Sequence, residues 1–114
     1  MHELSIVCSI LDIIEEYAEE HRFKNVNSLK LSFGRLSCIE PQVLEFTFEI
    51  QSSGTKAEGA LIEFDIKPII IHCLVCEKDI ELETYAALCP QCNGSDVILV
   101  GGTEVIQLLE IDVD

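Results

Sequence analysis

Apolar positions recur along residues 4–20 at the spacing of a helix. Leu4, Val7, Cys8, Leu11, Ile14 and Ala18 form one stripe, with Ile6, Ile10, Ile13 and Tyr17 beside it. Ser5, Ser9, Asp12, Glu16 and Glu19 fill the remaining face at steps of three and four. The wide apolar arc predicts a helix lying against a sheet, with Cys8 as a small core residue. Leu29, Leu31 and Phe33 then alternate with Ser28, Lys30 and Ser32, the period of a half-buried strand. Residues 41–51 carry both periods: Val43, Leu44, Thr47 and Phe48 fit a helix, while Phe46, Phe48 and Ile50 alternate. Pro41 suits a first helical turn and Ser52-Ser53-Gly54 supplies a stop, so a helix is expected there. A second strand places Ile62, Phe64 and Ile66 inward and Glu63, Asp65 and Lys67 outward, and Pro68 ends it. Val97 to Val100 reads as a short apolar strand, Gly101-Gly102 as a hinge, and residues 104–114 alternate at Leu109, Ile111 and Val113.

These elements predict an α+β fold: a small three-stranded sheet packed with two helices, interrupted by an inserted module. The main domain would be discontinuous, residues 1–69 plus 102–114, and the insert would span residues 70–101. No internal repeat or low-complexity segment is visible.

Charge narrows the partners. Twenty-one acids against seven bases give a net charge of −14, which repels phosphate backbones and argues against nucleic-acid binding. The same acidity raises the local concentration of cations. No apolar stretch approaches the roughly 20 residues that cross a bilayer, so no membrane span is expected. The start, Met1-His2-Glu3, has no basic region ahead of its first apolar run, unlike a secretory signal.

The six cysteines are informative through their spacing. Cys73-Leu74-Val75-Cys76 and Cys89-Pro90-Gln91-Cys92 are two tight turns with twelve residues between them. Four thiolates aimed at one tetrahedral cation make a closed, structural zinc ribbon, folding back here as one hairpin. So small an insert buries too little apolar area to offset its chain entropy, and metal would supply most of its folding free energy. Redox dithiols and a rubredoxin-type iron centre are alternatives for the same spacing. Cysteines used in this way fit a reducing cytoplasm better than a disulfide framework. His72 abuts Cys73 but reads as a surface residue at a strand end, Cys38 has no partner motif, and His21 complements a helix C-terminus.

Met1-His2-Glu3 offers an α-amine, deprotonated amides and an imidazole within two residues, a planar nitrogen set that suits Ni(II) or Cu(II). Met-His-Glu-Leu-Ser at the start, an amphipathic helix, the inserted CxxC…CxxC and the closing Gly101-Gly102-Thr103-Glu104 occur in that order. Over essentially its full length the chain resembles the hydrogenase nickel-incorporation proteins, the HypA/HybF family. That resemblance implies a nickel metallochaperone serving [NiFe]-hydrogenase and, in some organisms, urease. It implies His2 as the principal nickel ligand, with the Met1 amine and the amides of His2 and Glu3, and the Glu3 carboxylate tuning the site. It implies Cys73, Cys76, Cys89 and Cys92 as ligands of a structural Zn(II), with Ni(II) as transient cargo. Its expected partners are a maturation GTPase, the hydrogenase large subunit and, in urease-producing organisms, a urease accessory protein. Some family members place histidines beside both CxxC pairs; here Asn93 follows the second, so a switch needing two flanking histidines is not expected.

No phosphate-cradling GxxxxGK[ST], acyl-transfer GxSxG or zinc-protease HExxH occurs, so no enzymatic activity is expected. Two other readings are a protein-binding zinc ribbon without nickel and a redox protein using the CxxC pairs.

Overall fold

A computed structural model describes residues 3–114. The chain runs α1 (Glu3–His21), β1 (Val26–Gly34), a 3-10 turn (Arg35–Ser37), α2 (Pro41–Gln51), β2 (Leu61–Lys67), β3 (Ile69–Cys73), β4 (Lys78–Leu82), β5 (Val97–Gly101) and β6 (Gln107–Val113). Two three-stranded sheets result, ordered β2-β1-β6 and β4-β3-β5. The chain divides into two compact units. The first comprises residues up to Ser32, Cys38–Asp65 and Gln107–Asp114; the second comprises Phe33–Ser37 and Ile66–Ile106. Among the described residues no helix is long and apolar enough to cross a membrane.

The first unit has the expected two helices and three-stranded sheet. Ile6, Val7, Ile10, Ile14 and Ala18 are the buried face of α1. Val26, Leu29 and Leu31 of β1 and Leu44 and Phe48 of α2 join them in its core, with Phe23, Ile39 and Ala57. Glu3 lies in the first turn of α1, where a carboxylate complements the helix dipole. Arg22 ends that helix in the left-handed region, φ 56°, and its N–H donates to the Ala18 carbonyl at 2.8 Å. Pro41 opens α2 as the sequence predicts, after Glu40 in an extended conformation.

Three local expectations are corrected. Cys8 is exposed, not a core residue. The apolar arc of α1 is wider than the surface it covers, and Leu4 and Cys8 fall on its outer shoulder. Leu109 is also exposed, at 45%, whereas Leu108 faces inward. In the antiparallel β1–β6 pair Lys30 opposes Glu110 and Leu31 opposes Leu108, so Leu109 is the extra residue of a bulge that resets the alternation. A second irregularity falls at Asn27, whose side-chain amide donates to Asp112 at 3.3 Å and Asp114 at 3.0 Å.

The third correction concerns Gly101-Gly102. Gly101 is the last residue of β5, and Gly102 is buried with φ 108°. Its carbonyl accepts the Leu36 N–H at 2.7 Å, and the Glu104 carbonyl accepts the Gly34 N–H at 2.9 Å. A Cβ on Gly34 would overlap the Gly102 carbonyl. The glycines permit a close crossing of two backbone segments inside the second unit, not a free hinge. The insert is also richer than one hairpin, because β3 pairs antiparallel with both β4 and β5.

Candidate metal centre

β3 delivers Cys73 at its end and the chain turns at once. The Glu77 N–H donates to the Cys73 carbonyl at 2.8 Å, and Glu77 sits at φ 56° before β4 begins. The second pair repeats this: the Asn93 N–H donates to the Cys89 carbonyl at 2.8 Å, with Asn93 at φ 59°. Each left-handed residue closes its turn, so that two cysteines three positions apart face one centre. Asn tolerates that conformation; Glu does so at some cost, which the turn's hydrogen bond offsets. The Leu74 N–H donates to the Asp96 carbonyl at 2.9 Å and ties the first turn to the segment after the second.

The four sulfurs of Cys73, Cys76, Cys89 and Cys92 lie within 4.8 Å of one another. Cys73 Sγ is 3.7 Å from Cys92 Sγ, and Cys76 Sγ is 3.9 Å from Cys89 Sγ. Sulfurs at tetrahedral corners around zinc, with Zn–S near 2.3 Å, stand about 3.8 Å apart. The donor set fits zinc, and four thiolates leave no coordination position open. Cys73 and Cys89 are buried, Cys76 is half-buried and Cys92 exposed, and none of the six cysteines is in a disulfide.

The backbone prepares this centre for thiolates. The Cys92 N–H and then the Gln91 N–H pull Cys89 down from 9.0 to about 7. Cys76 is pushed up to about 12, first by the side-chain interaction with the neighbouring Cys73 sulfur and then by burial. Sulfurs this close carry four charges together only when a cation sits among them. The Cys76 N–H donates to Cys73 Sγ at 3.3 Å and spreads charge from that sulfur.

His72 takes no part in the cluster. Strand alternation sends it to the opposite face from Cys73. There Asp79, its register partner on β4, meets His72 Nδ1 at 2.8 Å. Asp79 and Glu77 were not singled out from the sequence; Glu77, like Asn93 in the second pair, closes one of the two turns. The alternation Lys78-Asp79-Ile80-Glu81-Leu82 is a strand signal that would have found Asp79. Met1 and His2 of the expected nickel site lie outside the described residues, and Glu3 opens α1, half-buried.

A family model described as "Hydrogenase/urease nickel incorporation, metallochaperone, hypA" matches residues 1–113. The chain belongs to the HypA family. It is 54% identical over 114 residues to the hydrogenase maturation factor HypA of Syntrophus aciditrophicus (strain SB), covering 100% of both chains. It is 34% identical over 113 residues to the hydrogenase maturation factor HybF of Escherichia coli (strain K12), covering 98% of this chain and 100% of that one. Its fold is similar to the solution structure of the Ni metallochaperone HypA from Helicobacter pylori, with TM-score 0.63 and 21% identity over 99% of this chain and 97% of that one. That likeness carries the fold; family membership rests on the whole-chain match. The family's work selects zinc and nickel over the redox and rubredoxin readings, and favours nickel carriage over a zinc ribbon with no nickel role.

Proposed function

We propose that this chain is a cytoplasmic nickel carrier that binds one Ni(II) at its N-terminus and hands it on during hydrogenase maturation. The observation that supports this most is the match of a nickel-incorporation family to residues 1–113, which include both Met1-His2-Glu3 and the four-cysteine centre. The Met1 amine, the His2 imidazole and the backbone nitrogens of His2 and Glu3 form the planar set, and the Glu3 carboxylate orients it. Weak coordination by so few side chains suits a metal that has to be released. Cys73, Cys76, Cys89 and Cys92 hold a structural zinc that folds the second unit, and nickel does not enter it.

The role is carriage, not catalysis. Nucleotide hydrolysis in the pathway belongs to a maturation GTPase, and the receiving protein is the hydrogenase large subunit. In organisms with urease, a urease accessory protein is a further recipient.

The test is a calorimetric Ni(II) titration of zinc-loaded protein with Met1 as its first residue, run beside His2→Ala. One nickel site in the first and none in the second, with equal zinc content, is the expected result. Equal nickel affinity in both would remove His2 from the site. No nickel binding in either would leave a zinc-ribbon interaction module as the better account.

A further inference from the structure

Helix α2 is apolar on two opposite faces. Leu44 and Phe48 are buried at 0% and 2% exposure, and they account for its packing into the first unit. On the other side Val43, Phe46 and Ile50 are 47%, 63% and 54% exposed. At 100° per residue these three form one stripe centred nearly opposite the buried pair. Their spacing, i, i+3 and i+7, is the one with which a helix anchors itself in a groove. The mixed periodicity of residues 41–51 has its cause here, because Phe46 and Ile50 lie outside the buried core of the first unit.

We propose that this stripe is a docking face for a second protein of the maturation machinery, one offering an apolar groove with a lysine- or arginine-rich rim. The inference rests on the proposed function for the choice of partner, and on the helix for the chemistry. Glu45 and Glu49, both exposed, border the stripe on one side with Gln42, and α2 contains no lysine or arginine. The acidic border faces a partner whose rim is basic. A second copy of the chain is disfavoured as occupant, since each copy carries −14 and would bring the same carboxylates to the contact. An anionic membrane surface is disfavoured on the same ground, because interfacial helices carry basic residues on their polar face.

Phe46, the largest and most exposed of the three, would be the central anchor. Aromatic side chains that leave water wholly on binding carry a large share of interface energy. Glu45 and Glu49 would act mainly on the rate of encounter and its salt dependence.

The experiment titrates labelled, zinc-loaded protein with the purified maturation GTPase and, separately, with the purified hydrogenase large-subunit precursor of the same organism. Wild type is compared with Phe46→Gln/Ile50→Gln and with Glu45→Lys/Glu49→Lys. These positions are exposed, and unchanged zinc content, helicity and Ni(II) titration certify each variant. The glutamine pair should weaken binding to at least one partner by about tenfold or more. The lysine pair should weaken it several-fold at low salt and flatten its salt dependence. Equal affinity of wild type and both variants overturns the proposal. So does a wild-type dimer, seen by sedimentation, that Phe46→Gln/Ile50→Gln dissociates, because a second copy is then the occupant. Failure of wild type to bind either protein also overturns it. The nickel reading is decided separately by the His2→Ala titration.

Discussion

The two compact units hold together by different means. The first buries one face of each helix, α1 in contact with α2, together with β1 side chains, with Ile14, Leu29, Leu31 and Leu44 at 2% exposure or less. The second, apart from the end of β1, buries few apolar side chains; Ile69 and Ile71 of β3 are fully enclosed alongside Cys73 and Cys89. Ile98, Leu99 and Val100 of β5 remain exposed, and so do Leu74 and Val75 at the first turn. Burial alone stabilises the first unit, as in any small domain. The second has too little of it for a segment of its length, and its two most central residues besides the isoleucines are metal-type donors. Zinc there is a folding element.

The largest expected effect follows directly. Cys89→Ser, or chelation of the wild type, removes a term that for structural zinc is on the order of 10 kcal/mol. Zinc content should fall from one per chain to none, and amide-exchange protection should vanish across β3, β4 and β5. Protection of α1 and α2 should persist. Simultaneous loss of protection in both units would mean that they fold as one, and the contrast between them would fail.

Leu44→Ala is the counterpart in the first unit. A fully buried leucine truncated to alanine costs about 2–5 kcal/mol, depending on how far the cavity collapses. The variant should lower the denaturation midpoint of α1 and α2 while zinc stoichiometry and the cysteine-centred turns stay as they are. Zinc loss in this variant would show that the metal centre depends on the helical core.

A smaller effect concerns protons. Zinc takes thiolates, so its binding releases whatever protons the cysteines still hold. Cys89, lowered to about 7, is already largely ionised above neutrality, whereas Cys76, raised to about 12, still carries its proton there. As pH falls through about 7, Cys89 gains a proton that zinc must displace. Apparent zinc affinity therefore falls with falling pH, and proton release should grow by about one per zinc between about pH 8 and about pH 6. Indicator-dye measurements in weakly buffered solution read this directly. Constant release over that range would place the ionisation of Cys89 elsewhere.

The units also differed in how far the sequence disclosed them. α1 was legible because its 3.6-residue pattern is long, but a wide arc does not say which part of it is covered, hence Cys8. α2 was legible through Pro41, a local constraint that tertiary packing does not override. Leu109 was misassigned because a bulge is set by pairing with β1, and a strand of seven residues gives no internal sign of it. The cysteine spacing disclosed the metal centre almost completely, since four donors must converge whatever else the chain does. The strand β4 within it is five residues long and mostly exposed, which makes its alternation a weak signal, and the buried crossing at Gly34 and Gly102 depends on two segments distant in sequence.

The smallest expected effect tests the border of the metal centre. His72 is next to Cys73 in sequence, and proximity alone invites a role for it at the metal. The sheet register argues otherwise: His72 opposes Asp79 across β3 and β4, with Nδ1 and Oδ1 2.8 Å apart on the face away from the cluster. The carboxylate side chain is 64% exposed, so the pair is largely hydrated and contributes between about 0.2 and 1 kcal/mol. Asp79→Asn should therefore shift the stability of the second unit by less than about 1 kcal/mol, less still at high salt. Its zinc affinity in a competition titration should match that of wild type. A tenfold loss of zinc affinity would mean that His72 reaches the cysteines through the strand. The second unit would then rest on an extended network of side chains, and not on four sulfurs and the turns that aim them.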